Sequence, residues 1–132
     1  MTGKPLGGFI ADLDKFGEKL GIDLRIVRRK IALDLLRKIT DRTPVDTGRL
    51  RASWNLSDDQ PDPSVAPKGI NTGTGKITAT FTRPFGQTWI SNNLPYALKI
   101  EFDGHSKQAP SGMARISVAE IEAELEATLE RF

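Results

Sequence analysis

The chain has 132 residues, 38% of them hydrophobic and 27% charged, with no cysteine and a formal net charge of +2. That length supports one domain with a modest core, and the composition excludes wholesale disorder. The missing thiols exclude disulfides, thiol catalysis and thiolate metal sites. No apolar run approaches the ~20 residues of a membrane span, and MTGKPLGGF at the N-terminus lacks the apolar stretch of a secretory signal. No membrane partner is expected.

In chain order, Phe9, Leu13, Phe16 and Leu20 recur at helical spacing, which predicts a short amphipathic helix over 8–20 within an N-terminal arm of residues 1–22. Gly21 interrupts it. Asp23 suits an N-cap, and a second helix is predicted from about Leu24 to Arg42. Its apolar stripe is Leu24, Val27, Ile31, Leu35 and Ile39, widened by Ala32 and Leu36. Pro44 disfavours α geometry at Thr43 and so ends this helix. Asp46, Thr47 and Gly48 then supply turn chemistry: the Asp side chain can accept from the backbone two residues on, and Gly48 can take a positive φ. Leu50, Ala52 and Trp54 alternate with Arg49, Arg51 and Ser53, which predicts a half-buried strand over 49–56.

Residues 57–75, with three Pro, three Gly and little apolar bulk, read as a long flexible loop. KITATFT, 76–82, alternates as a second strand, and QTWISN, 87–92, makes a third. After the Asn92-Asn93-Leu94-Pro95 turn, YALKIEF fits a helical turn or a strand equally well. The last helix is announced by Ser117 and Glu120, a capping box, with Ile116 and Ile121 at the staple positions. Its apolar stripe is Val118, Ile121, Leu125, Thr128 or Leu129, and Phe132, and it is expected to pack where residues 24–42 pack. These elements predict an α+β fold: N-terminal helices and a C-terminal helix on a small, mainly antiparallel β-sheet.

Charge is polarised along the chain. Residues 1–55 hold twelve Lys/Arg against seven Asp/Glu, and residues 111–132 hold two Arg against five Glu. Such ends can pair within one chain or head-to-tail between copies.

No residue set has the arrangement of a catalytic site. His105 is the only histidine, with Glu101 and Asp103 close by, and a metallohydrolase centred on it is one alternative. GHSKQAP reads more simply as a solvated polar loop. GINTGTGKIT fails as a phosphate loop because Ile70 stands where the first Gly belongs and Ile77 where the hydroxyl belongs. Arg25, Arg28, Arg29 and Lys30 cluster at helical spacing and suit phosphates, so a DNA-binding role is a second alternative. A solvated or subunit-interface face is the simpler reading of that cluster. Trp54, Trp89, Phe81 and Phe85 read as core or interface aromatics, since base stacking needs several on one basic surface. No cofactor is expected.

Two ordered segments carry a resemblance. Pro44, Val45, Asp46, Thr47, Gly48, Leu50, Ser53 and Trp54 form the first; Tyr96, Ala97, Glu101, Gly104, Pro110, Gly112 and Met113 form the second. Together with the long preceding helix, this resembles the head–tail joining and tail-completion proteins of long-tailed bacteriophages, including minor tail proteins of the lambda Z type. The likeness covers roughly residues 20–132. It departs from the family pattern at Asp103, between Phe102 and Gly104, and in the Pro/Gly-rich insert after Trp54. The resemblance implies a virion protein, not an enzyme, that forms a hexameric ring. Its implied partners are the tail tube or terminator and the neck or connector, with non-specific contact to passing DNA. Its implied locations are the host cytoplasm during assembly and the virion afterwards.

Overall fold

The computed structural model describes residues 23–82, 86–102 and 112–130. The elements are α1 (Leu24–Arg42), α2 (Arg49–Ala52), β1 (Trp54–Asp58), β2 (Lys76–Ile77), β3 (Thr88–Asn92), α3 (Ala97–Phe102) and α4 (Ala114–Glu130). The fold is α+β, as the sequence predicts. The helix expected over 8–20 lies outside the described residues, as do Phe85, Asp103, Gly104, His105, Pro110 and Phe132.

Helix α1 starts where its cap predicts. The Asp23 carboxylate accepts the Arg25 amide at 3.0 Å, one of the first-turn donors that the helix itself leaves unpaired. Its buried face is Ala32, Leu36, Ile39 and Thr40. These pack on β1 at the centre of a three-stranded sheet of order β2-β1-β3. The sheet is mixed. β1 and β3 run antiparallel over five residue pairs, from Trp54 opposite Asn92 to Asp58 opposite Thr88; β1 and β2 run parallel over only two.

Two predicted strands are corrected. Residues 49–52 form a helical turn, closed by the Ala52 amide on the Gly48 carbonyl at 3.0 Å, and the strand starts only at Trp54. Leu50 and Trp54 stand four apart as well as in alternation, so their spacing fits both states, and the left-handed start at Gly48 selects the helix. The strand expected over 76–82 stops after Ile77. The Thr78 and Ala79 amides both converge on the Leu56 carbonyl, and the Thr80 amide turns to the Asp58 carboxylate at 2.8 Å. Phe81 then takes a positive φ of 52°, incompatible with a continuing strand. YALKIEF resolves as helix α3.

β1 is buried on both faces, which a half-buried alternation does not anticipate. Trp54 and Leu56 join the apolar core with Leu36, Ile39, Leu50, Leu94, Ile100 and Met113. Asn55 and Ser57 face the other way and are also buried. The Pro/Gly-rich segment covers them with backbone rather than with side chains. Asn55 Nδ2 donates to the Asp62 and Ser64 carbonyls at 3.1 and 2.8 Å, and Ser57 Oγ donates to the Gln60 carbonyl at 2.6 Å. Ser53 Oγ accepts the Ala66 amide at 2.9 Å. Residues 59–75 contain no helix or strand, and these bonds satisfy polar groups that burial would otherwise leave costly.

Helix α4 packs on α1, as expected, but its start is corrected. Ser117 is the fourth helical residue and is fully buried. It donates to the Met113 carbonyl at 2.6 Å and accepts from Arg42 at 3.0 Å. Glu120 turns outward to Arg42 and Lys38, and Lys38 also reaches Glu124 at 3.1 Å. The basic front and acidic tail therefore pair within one chain. The Arg42 and Lys38 donors hold the Glu120 carboxyl below its ordinary pKa, and Glu124 with Glu120 pushes the Lys38 ammonium up.

Candidate assembly site

The first motif begins at the end of α1. Thr43 is extended (φ −72°, ψ 124°), the conformation a following proline favours. Its buried hydroxyl donates to the Ile39 carbonyl at 2.7 Å and accepts the Trp54 indole N–H at 2.8 Å. One side chain thus ties the helix terminus to the central strand. Replacing Thr43 with Val keeps the shape and removes the acceptor. The expected loss is about 1–3 kcal/mol, the cost of a buried unsatisfied donor, read by urea denaturation, and Thr43→Ser should retain most of the stability.

Pro44 is half-buried; Val45, Asp46 and Thr47 are exposed. The bond expected from Asp46 comes instead from Thr47, whose Oγ1 accepts the Arg49 amide at 3.3 Å. A hydroxyl can make this turn as an aspartate can. Gly48 has a φ of 82°, as its place in the turn predicts. The Thr47 carbonyl accepts the Asn71 amide at 2.7 Å, which presses residue 71 onto Gly48. A Cβ at position 48 would lie 2.1 Å from the Asn71 carbonyl oxygen. Leu50 is in the core, and Ser53 holds Ala66 as described above.

The second motif supplies the start of α4. Glu101, on α3, is only 8% exposed. Its carboxylate accepts the Met113 and Ala114 amides at 2.6 and 2.9 Å on one oxygen and the Arg115 amide at 2.8 Å on the other. Those are the orphan donors of a helix N-terminus, capped from another helix instead of from the local chain. The Arg115 guanidinium returns to Glu101, its Nη2 on the backbone carbonyl at 2.5 Å and its Nε on the carboxylate at 3.3 Å, and lies 4.4 Å over the Phe102 ring. Burial pushes the Glu101 pKa up. The Arg115, Met113 and Ala114 amides and the Arg115 side chain outweigh that, and the carboxyl ends below its ordinary range.

Gly112, with φ 87°, lets the chain pass close to α3; a Cβ there would lie 2.6 Å from the Glu101 carbonyl oxygen. Ala97 and Met113 are buried beside Trp54 in one core cluster, so the two motifs meet. Tyr96, Leu98 and Phe102 stay on the surface of α3, at 42%, 68% and 58% exposure.

Three of the four cations in the basic cluster have partners within the fold. Arg25 pairs with Asp23 at 2.9 Å, and Lys30 pairs with Asp34 at 3.1 Å. Arg28 donates to the Gly86 carbonyl and to Thr88 Oγ1, which fastens α1 to the head of β3. Arg29 is exposed. Of the aromatics, Trp54 and Phe81 pack in or against the core, and Trp89 is 38% exposed.

Sequence reasoning missed Asn71, Arg115 and the cross-helix role of Glu101. Nothing local marks these contacts, because their partners stand 12 to 24 residues away. The period-two run Ser53-Asn55-Ser57 did carry a signal, since three short polar side chains suit a face covered by backbone.

No group of His, Cys, Asp and Glu that could hold a metal occurs among the described residues. None of the described helices is long and apolar enough to cross a membrane. The chain matches no curated protein and no solved structure. Residues 7–102 match the family model described as "Bacteriophage HK97-gp10, putative tail-component". That span is well over half of the chain and includes the whole first motif and the start of the second. The chain belongs to the HK97-gp10-like family of phage tail components.

Proposed function

We propose that this protein completes the head-proximal end of a long phage tail and joins it to the neck, acting as one subunit of a hexameric ring. The observation that carries this reading is how the motif residues are spent. Gly48, Trp54, Glu101 and Gly112, with Thr43 beside the first motif, hold elements together, and the scaffold they build carries exposed apolar side chains at Leu98 and Phe102, one turn apart on α3, and at Tyr96 just before it. Large apolar side chains exposed close together on a small domain suit protein association. Its neighbours would be further copies of itself, the tail tube or terminator, and the neck or connector. Exposed cations at Arg29 and Lys30 would meet passing DNA only without sequence preference. The working location is the virion, after assembly in the host cytoplasm.

The test is complementation of a phage lacking the gene. The expected result is that full heads and complete tails accumulate unjoined and that the wild-type gene restores joined particles. Tails of uncontrolled length, or defective heads, would reassign the step. Native mass spectrometry of the purified protein reads the ring stoichiometry directly.

A further inference from the structure

Residues 60–67, QPDPSVAP, form an extended strap over the polar side of β1 for a local reason. Pro61, Pro63 and Pro67 each fix their own φ at about −65° and hold the residue before them out of helical geometry. Side chains then alternate across the strap, and the alternation is inverted. Its polar side chains face the protein. Asp62 is 13% exposed and pairs with Lys76 at 3.2 Å, and Ser64 Oγ accepts the same ammonium at 3.0 Å. Asn93 joins Asn55 in donating to the Asp62 and Ser64 carbonyls, at 2.8 and 3.2 Å, and Arg49 Nε donates to the Ala66 carbonyl at 3.0 Å.

The outer side is apolar. Pro61, Pro63 and Pro67 are exposed, Val65 is 44% exposed, and Ile70, just beyond, is 89% exposed. A surface segment ordinarily turns its apolar side to the protein; here Ala66 alone within 60–67 does so. Stiffening a loop accounts for the prolines but not for Val65 and Ile70. Exposed apolar side chains gathered on one segment mark a surface for another molecule. Nucleic acid does not suit it, because residues 59–70 carry Asp59 and Asp62 against Lys68.

The strap is pinned from behind in its extended form, so docking costs it little further ordering. Extended proline-rich segments are received by grooves lined with aromatic rings. The described residues of this chain do not supply such a groove. The open groove between β3, α3 and the start of α4 has buried Trp54 as its single ring, and the exposed rings Trp89, Tyr96 and Phe102 do not line it. That favours a different protein over a second copy as the receptor. We infer that the outward row Pro61, Pro63, Val65, Pro67 and Ile70 docks in an aromatic-lined groove of another phage structural protein. The inference rests on membership of the tail-component family and not on which joint the protein closes.

The test uses the full-length gene that complements a phage lacking it. The photocrosslinking residue benzoylphenylalanine is placed at Val65 and, in a second chain, at Pro63, and the assembled particles are irradiated. The expected result is a covalent product with a different virion protein, mapped by mass spectrometry to a segment holding two or more Trp, Tyr or Phe. Ile70→Asp in the same chains should abolish that product and leave the urea midpoint of the purified protein unchanged, since Ile70 lies on the surface. No product from either position, a product with another copy alone, or a product at a surface without rings would overturn the inference. Joined particles without the product would remove the docking row and leave the neck-joining reading standing. The product in a phage whose deletion leaves tails of uncontrolled length would support the docking row and remove the neck-joining reading.

Discussion

Gly48→Val is expected to destabilise the protein by about 2–4 kcal/mol, with Gly48→Ala nearly as damaging. Two effects add. Holding a side chain at φ 82° costs roughly 1–3 kcal/mol. The new Cβ would also stand 2.1 Å from the Asn71 carbonyl oxygen, so residue 71 must move and its 2.7 Å amide bond to Thr47 is lost, at about 1 kcal/mol. The overlap begins at Cβ, so the size of the side chain beyond it matters little. That separates the two effects. Asn tolerates left-handed backbone better than Ala, and strain alone would let Gly48→Asn recover most of the stability. Chemical denaturation of the Ala, Val and Asn variants decides it: three similar losses mean that the contact with Asn71 dominates, and a mild Asn variant would mean that backbone conformation does.

Glu101→Gln is expected to cost about 2–3 kcal/mol near neutral pH. The amide keeps one oxygen as acceptor but turns its NH2 toward backbone N–H groups, and the bonds lost are charge-assisted ones, typically about 1.5–3 kcal/mol. The loss should fall on the start of α4, seen as faster amide exchange at Met113, Ala114 and Arg115. The same site sets a pH dependence. The folded-state pKa of Glu101 lies below the ordinary glutamate value of 4.5, because the amides and Arg115 outweigh burial. A depressed carboxyl pKa contributes stability that is present above the unfolded value and lost as pH falls through the folded one. Wild-type stability should therefore decline as the pH falls below about 4.5, with Glu120 acting in the same direction. Glu101→Gln should be less stable at pH 7 and fall less steeply in acid. An acid profile identical to wild type would show that Glu101 does not titrate differently on folding.

Part of this protein was settled by neighbours in the chain. Asp23, the stripe of α1 and the Thr43-Pro44 stop place a 19-residue helix, because capping and periodicity act within a few residues. The turn at Gly48 was legible for the same reason: a backbone that needs positive φ calls for glycine locally. Alternation could not decide residues 49–52, where the apolar positions Leu50, Ala52 and Trp54, two and four apart, fit either state. The strand over 76–82 failed because its continuation depended on the Leu56 carbonyl and the Asp58 carboxylate, some twenty residues upstream.

The start of α4 shows most clearly what only the tertiary structure decided. Ser117 and Glu120 form a sound local capping signal, yet the helix extends one turn further back. A carboxylate from α3 supplies three amides with acceptors there, and Arg42 takes both capping-box side chains for itself. The buried polar side of β1 follows the same logic, since nothing near Asn55 announces that residues 62 and 64 will turn their carbonyls toward it. Local sequence determined where backbone preferences change. Long-range hydrogen bonds, whose partners meet only once the chain has folded, decided where α4 begins and where β2 ends.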